Sequence, residues 1–178
     1  GKKYPETMLV YEMKPHSCDE VEDRFIELTI EKLKEHEELL EEWMETHHDK
    51  DCYPPTIINI TDGQFNHATK EHVVQQANEL KSMFTNDGNV LLWNIHVTPD
   101  NVEQILLPIA KKELNGDTYS ESLYDMSSLL PYKYNQAIAN LRGENNDVRH
   151  VAMSTNVDMS TLIQLMDIGT PTNISQNR

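Results

Sequence analysis

Apolar and polar positions alternate along the chain with two different periods. Thr56 to Thr61 is a short, β-branched run entered through Pro54-Pro55 and stopped by Asp62-Gly63. Val90 to Val97 is nearly continuous in apolar residues, as a parallel strand covered on both faces is, and the turn signal Asp87-Gly88 leads into it. Two weaker runs, Thr7 to Met13 and Val148 to Thr155, predict a first and a last strand.

The intervening segments carry the helical period. From about Asp19 to His47 an apolar stripe runs through Ile26, Ile30, Leu33, Leu40 and Met44, widened by Phe25, Leu39 and Trp43. The remainder of that segment is dense in Glu, which predicts a solvated face. A coiled-coil partner is the alternative, and Glu37 interrupts the stripe such a partner needs. A second helix is predicted from about Ala68 to Phe84. Asp100 with Glu103, after Pro99, has the spacing of a helix N-cap and its N3 partner, and Thr118 with Glu121 repeats it. The latter opens a helix that continues through Leu123 to Leu130 and is closed by Pro131. Tyr132 to Arg142, ending at Gly143, and Met159 to Ile168, capped by Asp158 and ended by Gly169, complete the pattern.

Strands alternating with helices predict an α/β fold: a doubly wound, mostly parallel, Rossmann-like sheet with helices on both faces. The 178 residues suffice for one core, so residues 1–170 read as a single domain and 171–178 as a polar tail. Fifteen basic against thirty acidic residues give a formal net charge of −15, which disfavours a nucleic-acid backbone and an anionic membrane as partners. Divalent cations are compatible with that charge. Cys18 and Cys52 make no disulfide framework, and the chain shows neither a membrane-spanning apolar run nor the apolar core of a signal peptide. A cytoplasmic setting is expected. The sequons at Asn59 and Asn173 carry little weight, the first because it falls on a buried strand.

Candidate chemistry centres on Asp62, a carboxylate at the carboxyl end of a predicted buried strand, where open α/β sheets build their binding crevices. Asp-Gly is also an ordinary turn signal. Ser17 with Glu20 has the form of a capping box for the acidic helix. His47 to Cys52 contains metal-ligand types but matches no zinc spacing. His96 on an apolar strand reads as a satisfied core or strand-end histidine, and Ser127-Ser128 lacks the Gly-x-Ser-x-Gly setting of a nucleophile. Six glycines leave no Walker-type loop.

Four motifs stand in order: Pro55 to Gly63 (Pro-Thr-Ile-Ile-Asn-Ile-Thr-Asp-Gly), Thr85 to His96, Tyr124 to Pro131 (Tyr-Asp-Met-Ser-Ser-Leu-Leu-Pro) and Leu165 to Thr170 (Leu-Met-Asp-Ile-Gly-Thr). Through them the chain resembles the C-terminal two-thirds of a von Willebrand factor A (vWA) domain, in particular a bacterial intracellular group. The resemblance implies a metal-ion-dependent adhesion site holding Mg²⁺, with Mn²⁺ or Ca²⁺ as substitutes. Hard oxygen ligands suit that ion, which keeps waters and an open position for a partner's carboxylate. Three loops build the site in the family. Asp62 belongs to the third, and Ser17, in His16-Ser17-Cys18-Asp19, stands where the second supplies a Thr. The first, Asp-x-Ser-x-Ser after a central strand, is missing from this sequence.

The missing loop leaves two readings, a metal site completed by an N-terminal segment on a separate polypeptide or a metal site that has been lost, and the first is expected. A sheet without its central strand would expose two long edges. The expected function is a non-enzymatic protein-interaction module, an adaptor in a bacterial signalling or stress system that binds an acidic side chain of its partner. The alternatives are a metal-dependent hydrolase or phosphoryl-transfer enzyme with Asp62 as ligand, and a metal-free assembly subunit.

Overall fold

A computed structural model describes residues 10–13, 34–35, 37–45, 55–61, 70–86, 88–97, 103–144 and 147–169. Seven strands are present among them: β1 (Val10–Met13), β2 (Thr56–Thr61), β3 (Phe84–Thr85), β4 (Gly88–Asn89), β5 (Leu91–Val97), β6 (Ile105–Leu106) and β7 (Met153–Val157). The helices are α1, described over residues 34–35 and 37–45, α2 (Lys70–Ser82), α3 (Thr118–Met126), α4 (Asn135–Arg142) and α5 (Met159–Gly169). The main sheet has the order β1-β2-β5-β7-β6. Its first four strands are parallel, and β6 runs antiparallel along β7. β3 and β4 form a separate hairpin.

This is an α/β fold with a mostly parallel sheet covered by helices on both faces. Strand alternation explains how the two cores form. On one face Ile57, Leu92 and Met153 pack under Leu40 of α1, Val73, Ala77 and Leu80 of α2, and Leu123 and Met126 of α3. On the other, Ile58, Ile60, Trp93 and Ile95 meet Ile138 of α4 and Leu162 and Leu165 of α5. β5 lies between β2 and β7 and is buried from Leu91 to His96, as its apolar run requires. β1 pairs with β2 from Val10 opposite Ile58 to Met13 opposite Thr61, so β2 is not an open edge of the sheet.

Several boundaries differ from the sequence pattern. The expected short helix at Asp100 and Glu103 is replaced, in its described part, by the edge strand β6. Leu107 N then bonds Met153 O, and Pro108 follows, so ladder bonds to β7 take the backbone groups a helix would have used. The N-cap of α3 is Asp117 and not Thr118: its carboxylate accepts from Ser120 N at 2.8 Å and from the Ser120 hydroxyl. That helix stops at Met126 instead of reaching Leu130. Ser127 turns extended, its hydroxyl donates to Leu123 O, and Lys81 donates to the carbonyls of Asp125 and Ser127. The last strand begins at Met153, because Val151 makes only an isolated bridge to Leu129. Gly143 ends α4 with φ +69° and Asp158 caps α5 through Thr161 N, both as the sequence predicts.

One half-buried guanidinium ties the long connection between β5 and β7 together. Arg142 donates to the carbonyls of Leu106 and Leu107 and to the Glu113 carboxylate at 3.1 Å. Glu113 in turn accepts from Ile109 N and Ala110 N. Leu107 holds φ +46°, an unfavourable angle for leucine, and its carbonyl also accepts from His150 Nδ1. Arg142→Ala should cost about 2–4 kcal/mol in urea unfolding, and Arg142→Lys should recover less than half, because an ammonium cannot span both carbonyls and a carboxylate.

Burial opposes ionisation of Glu113, but Ala110 N, Ile109 N and Arg142 outweigh it and hold its carboxyl below the usual range. Asp125 is likewise held low: burial is outweighed by hydrogen bonds from Lys111 and Lys70. Depressed carboxyls bind fewer protons in the folded state, so their contribution is complete above the ordinary carboxylate range. It is lost as pH falls through their folded values. Acid titration of Glu113→Gln should show a shallower fall in stability over that window than the parent chain.

Candidate functional site

The carboxyl end of the parallel sheet is where the described chain leads toward Asp62. β2 is buried through Ile60 and Thr61, and Thr61 is the last described residue before that position. Asp62, Ser17 and the His47 to Cys52 segment all lie outside the described residues. Among the described residues no group of three or more His, Cys, Asp or Glu side chains is placed to hold a metal ion. The described part of this end is therefore a frame of strand ends.

That frame is polar by construction. On the face covered by α1, α2 and α3, the inward residues of β2 are Ile57, Asn59 and Thr61, and those of β5 are Leu92, Asn94 and His96. Register places Asn59 opposite Asn94 and Thr61 opposite His96. The apolar core thus gives way to amides and then to hydroxyl and imidazole toward the carboxyl end. Asn59 Nδ2 donates to Asn94 Oδ1 at 2.9 Å, and Asn94 Nδ2 donates to Ser127 Oγ at 2.9 Å. Ser127 passes its own proton to Leu123 O, which completes a chain from β2 to α3. Ser128 closes a second link, donating its N–H to Leu92 O and accepting from Leu92 N on its hydroxyl. Both serines bond to backbone.

At the strand ends, His96 is 8% exposed and meets the Tyr119 ring edge-on, centroids 5.3 Å apart. Its Nδ1 accepts from Asn156 N at 3.4 Å. The β5–β7 register shifts here, with Ile95 opposite Ser154 but Val97 opposite Val157, so Thr155 and Asn156 together face His96. Asn156 takes φ +57°, and its side chain bonds Glu103 O. Such bulges re-aim side chains at the ends of strands. Thr155 is fully buried beside this bulge, and its hydroxyl lacks a hydrogen-bond partner among the described residues. Asp158, next beyond β7, is held below the usual carboxylate range by the N–H and hydroxyl of Thr161.

The sequence pattern marks His96 as a core or strand-end histidine, and the structure makes it a buried one at a strand end; Asn59, Asn94, Tyr119, Thr155 and Asn156 were missed. The signal in the sequence is that Asn59 and Asn94 each interrupt a largely apolar strand; their alignment comes from the β2–β5 register. The four motifs also come together in space. Ser128 is bonded to β5, and Gly169 lies against Ile58 of β2 and Trp93 of β5.

Asn94→Ala should destabilise the fold by roughly 2–4 kcal/mol, since it opens a cavity and leaves the amide of Asn59 and the hydroxyl of Ser127 without their shared partner. The His96 ring accepts a backbone N–H at Nδ1, so nitrogen-detected NMR should find its proton on Nε2. A proton on Nδ1 would contradict the bulge geometry.

No family model matches the chain, and no curated protein and no solved structure matches it.

Proposed function

We propose that this chain is a vWA-like protein-interaction module whose metal-ion-dependent adhesion site is built on Asp62 and Ser17. The loop that completes it is of the Asp-x-Ser-x-Ser type, a motif the 178 residues do not contain. The observation that supports this reading is the course of β2, a buried parallel strand that delivers the chain at its carboxyl end directly to Asp62-Gly63. The donor set is hard: a carboxylate and a hydroxyl suit Mg²⁺, and Mn²⁺ or Ca²⁺ can take the same place. Buried polar groups at the strand ends, Thr61, His96 and the Thr155 hydroxyl, fit walls of a charged site better than a purely apolar core does. The bound ion would offer its open position to an acidic side chain of a protein partner. The chain would thereby serve as an adaptor in a bacterial signalling or stress system.

Mn²⁺ titration followed by water-proton relaxation tests this directly. Added to the chain, a synthetic peptide carrying Asp-x-Ser-x-Ser should raise Mn²⁺ affinity by about tenfold or more, and Asp62→Ala should abolish the gain. Equal Mn²⁺ affinity in the parent chain and Asp62→Ala, with the peptide present, would sink the proposal.

A further inference from the structure

The charges of α2 are divided between its two sides. Lys70 and Lys81 both turn toward α3, the first pairing with the Asp125 carboxylate at 3.2 Å and the second bonding the Asp125 and Ser127 carbonyls. Glu79 is on the other side, where Glu37 of α1 senses its charge. The described part of α1 adds six glutamates against Lys34 alone. Two shallow concavities lie along these helices. One is lined by Glu41, Met44 and Glu45 of α1 with Met83, and the other by a stripe of α2 that includes Glu71, Val74 and Glu79. Met44 and Met83 in the first and Val74 in the second are half-buried against the core, so each concavity has an apolar floor beside glutamates. Phe84, the residue after Met83, leaves its ring 69% exposed.

From this arrangement we infer that the α1–α2 surface is a docking groove for a basic amphipathic helix of a protein partner. Methionine floors adapt to varied apolar side chains. Residues at i, i+3, i+4 and i+7 of a bound helix would rest on them, and its Lys and Arg would face Glu41, Glu45, Glu71 and Glu79. The state of Glu37 gives such a partner something to relieve. Burial raises its carboxyl above the usual range, and Glu79, Glu41 and Glu38 raise it further against the opposing effect of Lys34. A cation in the groove removes that repulsion, whereas nucleic acid and anionic lipid would add to it. Because α2 starts beyond the carboxyl end of β2 and runs back to Met83 before β5 begins, Met83 with Glu41, Met44 and Glu45 marks the end of the surface at the amino side of the sheet. Docking at that end needs no bound metal.

The probe is a fluorescent, helix-forming peptide of Leu and Lys about 18 residues long, its Leu residues confined to one face. Titrated with the intact chain, it should bind at least about tenfold more tightly than a scrambled peptide of the same composition. Glu41→Lys combined with Glu45→Lys alters two exposed positions and should weaken binding by about tenfold or more, with helix content unchanged by circular dichroism. A chelator should leave the affinity as it was. Equal binding of the scrambled peptide would overturn the inference in favour of bulk charge attraction, undiminished binding by the double variant would place the peptide elsewhere, and loss of binding in chelator would assign it to the metal site.

Discussion

The pairing of β2 with β5 is the constraint from which the remaining architecture follows. Six residues align, from Thr56 opposite Leu91 to Thr61 opposite His96. Because side chains alternate with a period of two, a slip of one residue would turn Asn59 or Asn94 into the α4–α5 core, where it would meet Ile138 and Leu165 without a polar partner. The bond between the two asparagines is therefore a register lock. It is worth little as a single hydrogen bond, but leaving either amide buried and unpaired costs far more. Ser127 extends the lock to α3, and so fixes where that helix must end.

The same pairing explains the chemical gradient along one face of the sheet. The amino end is a hydrocarbon core, and the carboxyl end is lined by Thr61, His96 and Thr155. In a parallel sheet every strand exits at the same end, so polar residues placed last on each strand collect in one place without any contact between them in sequence. The bulge at Thr155 and Asn156 adds a turn of β7 at that end and brings a backbone N–H to His96. A sheet built for stability alone would carry apolar residues to its rim. The polarity of this rim is what a binding crevice needs.

The elements were legible where one local signal dominates. β2 was readable to the residue, because Pro55 and Asp62 bound it. α5 was readable because Asp158 caps it and a long apolar period follows. Errors arose where long-range bonds overrule local ones. Thr118 and Glu121 have capping-box spacing, yet Asp117 wins by one residue because its carboxylate reaches both Ser120 groups. Leu123 to Leu130 keeps an apolar pattern past Met126, but the bonds of Ser128 to Leu92 and Ala152 pull that stretch out of the helix. Arg142 is the clearest limit, since nothing in its neighbourhood in sequence points to Leu106, Leu107 and Glu113 as its partners. At the site, Asp62 was legible from its place after a strand. The asparagine lock was not, because its meaning depends on a register that only the folded sheet supplies.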